Sequence, residues 1–150
     1  MSSSNKEEQA LKLFIVLSKA YRTLEEKVMQ DIRSHGLNPT EFAVLELLYH
    51  KGPQPLQKIG SKILITSGSI TYVTDKLESK GYLTRKPCTN DRRITYGTIT
   101  DKGRKLMDEI FPAHRKRIAE LTEALSLEEK DATISNLKKL GLQLENEHSQ

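Results

Sequence analysis

Residues 66–100 read TSGSITYVTDKLESKGYLTRKPCTNDRRITYGTIT, and the order of chemistry within them decides the fold. Small hydroxylated residues open a stretch with helical spacing, Lys80-Gly81 stops it, and two β-prone runs then flank a polar loop. At 100° per residue Ile70, Val73 and Leu77 share one side of that helix, which must be the buried one. Gly68, Ser69, Thr71, Tyr72, Asp75, Lys76 and Ser79 fall on or near the other. Small hydroxyls at a helix start let the backbone approach a phosphate or a base edge closely, and the helix N-terminus itself favours an anion. Ser and Thr also gather there simply as caps, with Thr66 the candidate, so the helix alone leaves both readings open. The next eighteen or so residues tip the balance. Tyr82–Arg85 and Ile94–Ile99 read as strands, and Lys86-Pro87-Cys88-Thr89-Asn90-Asp91-Arg92-Arg93 between them is polar and turn-prone. A hairpin projecting arginines beside a hydroxyl-faced helix is hard to explain by packing. It reads as a recognition helix followed by a β-wing.

Charge supports a polyanionic partner by its distribution more than by its total. The 150-residue chain carries a formal +4, from 24 basic and 20 acidic residues. From Lys76 to Lys105 there are nine basic residues against three acidic ones, a net +6, so this segment exceeds the excess of the whole chain. Such asymmetry is the footprint expected of nucleic-acid binding. With 36% hydrophobic and only 5% aromatic residues the chain reads as helix-rich and mainly α, and its length suits one domain whose stability oligomerisation would raise. Cys88 is the single cysteine, which excludes an intrachain disulfide or a thiolate zinc cluster and fits a reducing compartment. MSSSNKEEQ lacks an apolar signal core, and no run approaches the roughly 18 apolar residues of a membrane span. A cytoplasmic protein without membrane contact is expected.

Outside the opening stretch the chain reads as helices. Residues 1–8 are expected to be a disordered tail. Over 9–36 Ala10, Phe14, Leu17, Tyr21, Leu24 and Val28 recur at alternating spacings of four and three, a heptad-like seam. Leu13, Val16 and Ala20 form a second stripe, so the first half of this helix is apolar around most of its circumference and must be covered from two directions. A partner subunit accounts for that; a central helix of a monomeric bundle is the alternative. Asn38-Pro39-Thr40-Glu41 is a helix start with Asn38 as cap, Pro39 at the first position and Glu41 placed to close a capping box. Phe42, Leu45, Leu48 and Tyr49 give that second helix a core face. Pro53–Pro55 is a short extended piece, and Leu56–Ile63 a third helix in the place of the positioning helix of a helix-turn-helix. Thr100 or Asp101 caps a fifth helix despite Gly103 near its start, and Pro112 predicts a kink near Ile110. His114-Arg115-Lys116-Arg117 reads as a solvated basic face. Ser126-Leu127-Glu128-Glu129 opens a last helix with a capping box and an apolar side of Ile134, Leu137, Leu140 and Leu144.

This order of parts resembles the MarR family of winged-helix regulators over about Leu11 to Leu144. Asp91-Arg92-Arg93 followed by Ile99-Thr100-Asp101-Lys102-Gly103 is similar to the family's wing signature, D-x-R, a strand and Leu-Thr-x-x-Gly, with Ile99 in place of the usual Leu. Asn38-Pro39-Thr40-Glu41-Phe42 and Ser67-Gly68-Ser69-Ile70-Thr71 match patterns common there. Within the family the sequence looks closest to repressors that respond to quinones or related aromatic electrophiles. The resemblance implies a winged helix-turn-helix lobe over 37–100, with the 9–36 helix and the 101–147 helices pairing two copies into a homodimer. It implies double-stranded DNA as partner, a pseudo-palindromic operator with half-sites about 10 base pairs apart, and a small aromatic effector bound between the dimer helices and the lobe. Ser67, Ser69, Thr71, Tyr72, Lys76, Arg92 and Arg93 become the candidate DNA contacts, Asp91 the residue that positions Arg93, and Phe14, Tyr21 and Phe42 the candidate effector contacts.

No enzyme chemistry competes with this reading. His35, His50, His114 and His148 are scattered, without HExxH, CxxC or a GxxxxGK phosphate loop, and GSITY lacks the GxSxG of a nucleophile elbow. No cofactor and no metal site is expected. A winged-helix module that binds protein rather than DNA is the alternative function. Cys88 stands among Arg85, Lys86, Arg92 and Arg93, where cations favour a thiolate, so oxidation or alkylation there is one route to regulation and an incidental loop residue the other.

Overall fold

The computed structural model describes residues 3–63 and 67–148. Thr66 therefore lies outside the described residues, as do the side chains of Ser3, Ser67 and His148. Two compact units result, Met1–Arg117 and Ile118–Gln150.

The first unit opens with α1 (Ser3–Ser34), a single helix of 32 residues. It starts ahead of Gln9, so residues 3–8 continue the helix where a disordered tail was expected. Gly36 closes the turn after it at a φ of +87°, a conformation that suits a residue without Cβ. In α2 (Pro39–Lys51) the expected capping box is present: Glu41 N–H donates to Asn38 Oδ1 at 2.8 Å, and Asn38 N–H to Glu41 Oε1 at 3.2 Å. β1 (Gln54–Pro55) and α3 (Leu56–Lys62) lead to α4 (Ser67–Ser79). Gly81, at a φ of +84°, then turns the chain: its N–H donates to Glu78 O, and Tyr82 N–H reaches back to Leu77 O at 2.9 Å. That pair of bonds satisfies carbonyls the end of α4 would otherwise leave open.

β2 (Leu83–Pro87) and β3 (Thr95–Ile99) form the wing, and β1 adds to the free side of β3, giving the antiparallel order β1-β3-β2. Leu83 faces Ile99 and Pro87 faces Thr95, while Gln54 and Pro55 face Gly97 and Tyr96. The first wing strand thus runs beyond Arg85 to Pro87, and Ile94 falls outside the second. Proline is tolerated at Pro87 because a ladder needs no donor at its end.

Three of the bonds of Thr100 close the base of the wing. Its N–H donates to Tyr82 O at 3.0 Å, its hydroxyl donates to Gly81 O at 2.6 Å, and the same oxygen accepts Gly103 N–H at 3.0 Å, capping α5 (Asp101–Leu121). A Cβ on Gly103 would lie 2.3 Å from Tyr82 O. The glycine that looked costly in a helix start is what lets the first turn of α5 seat against the wing.

The core gathers side chains from every element of this unit except β1: Ile32, Leu37, Phe42, Leu45, Leu48, Ile59, Val73, Leu77, Leu83, Ile99, Met107 and Ile110 are all buried. Each fully buried aliphatic contributes about 1.5–3 kcal/mol relative to exposure. His114 belongs with them, which corrects the solvated reading of its basic run. It is buried, its Nδ1 lies 3.0 Å from Asp31 Oδ2, and its ring sits 4.6 Å from that of Phe42. It falls seven residues after Met107 and four after Ile110, on the inward stripe of α5.

Two helices leave apolar side chains in water. On α1 Phe14 is 68% and Leu11 63% exposed, with Leu13, Ile15, Val16 and Tyr21 alongside. In the second unit α6 (Leu127–His148), opened by the expected Ser126–Glu129 capping box, exposes Ile134, Leu137, Leu140, Leu142 and Leu144.

Candidate nucleic-acid interface

Helix α4 is held from below by Ile70, Val73 and Leu77, the three residues its spacing assigned inward. Thr74 joins them. Fully buried, it places Oγ1 2.7 Å from Ile70 O, so the hydroxyl meets a carbonyl of its own helix and costs nothing in unmet bonds. Ser69, Thr71, Tyr72 and Asp75 are exposed. Lys76, half-buried, lies with Nζ 5.4 Å from the centroid of the Tyr72 ring, so two candidate contacts also support each other.

The wing tip is ordered by a carboxylate. Asp91 Oδ1 accepts Arg93 N–H at 3.0 Å and Nε–H at 3.1 Å, and Oδ2 accepts from Nη2 at 3.2 Å. These bonds to Arg93 hold the Asp91 carboxyl below the usual aspartate range. Arg93 nonetheless stays 90% exposed, so its guanidinium is aimed without being covered. Arg92 is also exposed and has no ion-pair partner among the described residues. Cys88 is half-buried at the neck of the loop, its N–H donating to Ile94 O at 2.8 Å.

Several of the basic residues counted in the +6 segment serve the fold. Arg85 pairs with Asp75 and Glu78 of α4. Lys80 Nζ lies 2.6 Å from Oε2 of Glu41, a carboxylate buried at the α2 cap. Lys102 donates from Nζ to Lys80 O at 3.0 Å. The cations left toward solvent are concentrated on the wing and on α5. Sequence reading missed Glu41, Asp75 and Glu78 as partners, since each meets its cation only through the fold.

A cavity of about 440 Å³ lies between α3, α4 and the wing, with Leu56, Ser61, Ile70, Thr71, Arg93 and Ile94 in its walls. The candidate effector contacts are elsewhere. Phe14 and Tyr21 are exposed on α1, whereas Phe42 is buried in the core against His114, and none of the three lines this cavity. Among the described residues no group of His, Cys, Asp and Glu is arranged to hold a metal ion, and no helix is long and apolar enough to cross a membrane.

A positioning helix, a recognition helix with an exposed polar face and a three-stranded sheet ending in an arginine-tipped hairpin define a winged helix-turn-helix protein. The MarR family profile matches residues 37–95. The HTH-type transcriptional regulator MhqR of Bacillus subtilis is 56% identical over 142 residues, covering 95% of this chain and 98% of that protein. The uncharacterized HTH-type transcriptional regulator YkoM of the same organism is 48% identical over 135 residues, 90% of this chain and 88% of its own length. A mutant MarR from Escherichia coli, solved in complex with operator DNA, superposes with a TM-score of 0.78 at 20% identity over 88% of this chain and 95% of that one. The chain belongs to the MarR family and is a transcriptional regulator, not an enzyme.

Proposed function

We propose that the chain acts as a homodimeric repressor that binds a pseudo-palindromic operator and is released from it by a small aromatic or electrophilic effector. The observation that carries DNA recognition is the pairing of an exposed polar face on α4 with a wing whose Arg93 is pre-aimed by Asp91. Two recognition helices, one per subunit, enter successive major grooves about 10 base pairs apart, reading bases through Ser69, Thr71, Tyr72 and Lys76, with Ser67 at the helix start. Arg93, already fixed in direction, enters the adjacent minor groove, where narrow A·T-rich segments concentrate negative potential, and Arg92 takes phosphate. The exposed apolar faces of α1 and α6 support the dimer, since patches of this kind mark association surfaces. A regulator of this bacterial family works where the chromosome is, in the cytoplasm.

An effector need supply only about 1–3 kcal/mol of coupling to change operator affinity roughly 5- to 150-fold. The cavity beside Thr71 and Arg93 adjoins both recognition elements, and Cys88 at the wing neck is the position where an electrophile would act covalently. A mobility shift on the DNA upstream of the chain's own gene, titrated with salt, tests the reading: binding should be specific and fall steeply with ionic strength. Absence of specific binding at low salt would favour a winged-helix module that binds protein.

A further inference from the structure

We infer that Arg85 is a positioning residue that fixes the angle between the recognition helix and the wing and makes no phosphate contact of its own, an inference that rests on the DNA-binding reading proposed for the lobe. Arg85 leaves β2 toward α4, where Nη2 lies 2.6 Å from Asp75 Oδ1 and 3.3 Å from Glu78 Oε1. Its Nε is 3.4 Å from Glu78 Oε2, and the same oxygen accepts the Arg85 backbone N–H at 3.0 Å. Asp75 and Glu78 are three residues apart and so share one face of α4. The guanidinium bridges both at once, a geometry that suits the planar fork of arginine and not the single ammonium of lysine.

The bridge closes a small ring. Its other side is the turn in which Tyr82 N–H bonds Leu77 O, so the chain after Gly81 is tied to the last two turns of α4 twice, once just before β2 and once from within it. Everything that reaches DNA on this lobe hangs on one arm or the other of that ring: Thr71, Tyr72 and Lys76 on α4, Arg92 and Arg93 on the wing. Arg85 is itself about one quarter exposed and already committed to two carboxylates, which leaves it poorly placed to neutralise a phosphate. The hold on Glu78 is visible in its carboxyl, which the Arg85 hydrogen bond keeps below the usual glutamate range.

Neutralising the two carboxylates would distinguish positioning from contact, because the two roles answer the removal of negative charge in opposite ways. Asp75→Asn combined with Glu78→Gln frees the guanidinium and makes the lobe more positive. If Arg85 contacts phosphate, that variant binds the operator more tightly and with a steeper salt dependence. If Arg85 positions, operator affinity falls about tenfold, near the lower end of what one good base contact is worth, while affinity for scrambled DNA holds or rises. The probe is a duplex selected from a random pool by the unaltered protein, compared with the same duplex after scrambling both half-sites. Arg85→Lys should fall between the double variant and the parent, since it keeps the charge and loses the bridge. A nitroxide on Cys88, the only thiol of the chain, gives a readout independent of DNA: its spectrum should report a more mobile wing in the double variant at unchanged thermal stability. An unchanged ratio of operator to scrambled affinity, or an unchanged nitroxide spectrum, would overturn the positioning role. Failure of the unaltered protein to select any sequence would instead remove the DNA-binding reading on which it stands.

Discussion

Helices α1 and α2 each carry a cluster of leucine with valine and a phenylalanine, and they use them in opposite ways. α2 buries Phe42, Val44, Leu45 and Leu48 within its own lobe, whereas α1 leaves Leu11, Leu13, Phe14, Ile15 and Val16 in water. The lobe is finished by residues of a single chain, with a capped helix start, a closed wing base and satisfied buried polar groups such as Thr74. The first half of α1 has the composition of a core without the cover. At about 25 cal/mol per Å² of apolar surface, such a face gains substantially from a second copy of itself. The comparison separates a lobe whose apolar residues one chain covers from a helix face that the same chain leaves exposed.

The change expected to strain this contrast most is Phe14→Glu with Val16→Glu. It should convert the protein to monomer in sedimentation while leaving the lobe folded, and cost about 100-fold or more in operator affinity through lost bivalency. An unaltered mass would mean that the exposed face of α1 serves something other than dimerisation. Within the lobe the same logic predicts a loss of stability instead of assembly. Leu45→Ala, at a fully buried site, should lower the free energy of unfolding by about 3 kcal/mol in urea titration. Gly103→Ala should cost less, about 2 kcal/mol, because Tyr82 O or the start of α5 can shift to relieve the overlap; a neutral effect would show that the close approach is not needed. The smallest effect is at the wing surface. Asp91 has its folded-state pKa depressed by Arg93, so its contribution is present above the unfolded value of about 3.9 and is lost as pH falls through the lower folded value. Carboxyl NMR should therefore find Asp91 titrating below ordinary aspartates, and returning to their range in Arg93→Ala.

Much of the fold is legible in the sequence, because its signals are local. The capping boxes at Asn38 and Ser126 each lie within four residues, and the inward stripe of Ile70, Val73 and Leu77 needs only helical periodicity. The wing is marked by turn chemistry between two β-prone runs, although its strand ends shifted by one or two residues, as ladder ends do when pairing and not propensity sets them. What escaped was long-range. Glu41 meets Lys80 across 39 positions and Asp31 meets His114 across 83, and no spacing rule links such pairs. His114 was legible in principle, being in phase with Met107 and Ile110, but its neighbours Arg115, Lys116 and Arg117 made the run look uniformly solvated. Gly103 was visible as an oddity whose reason lies in Tyr82 O, a contact outside its own helix.

The bonds of Thr100 to Gly81 and Tyr82 pinch the chain shut at the foot of the hairpin. Residues 83–99 therefore enter and leave the lobe at one point, like a handle riveted at its base. Substituting or lengthening the tip between Pro87 and Thr95 leaves both rivets and the buried Leu83–Ile99 pair in place. The hairpin is in that sense a replaceable part: tips of different length or charge could be grafted onto the same foot without redesigning the helices that hold it.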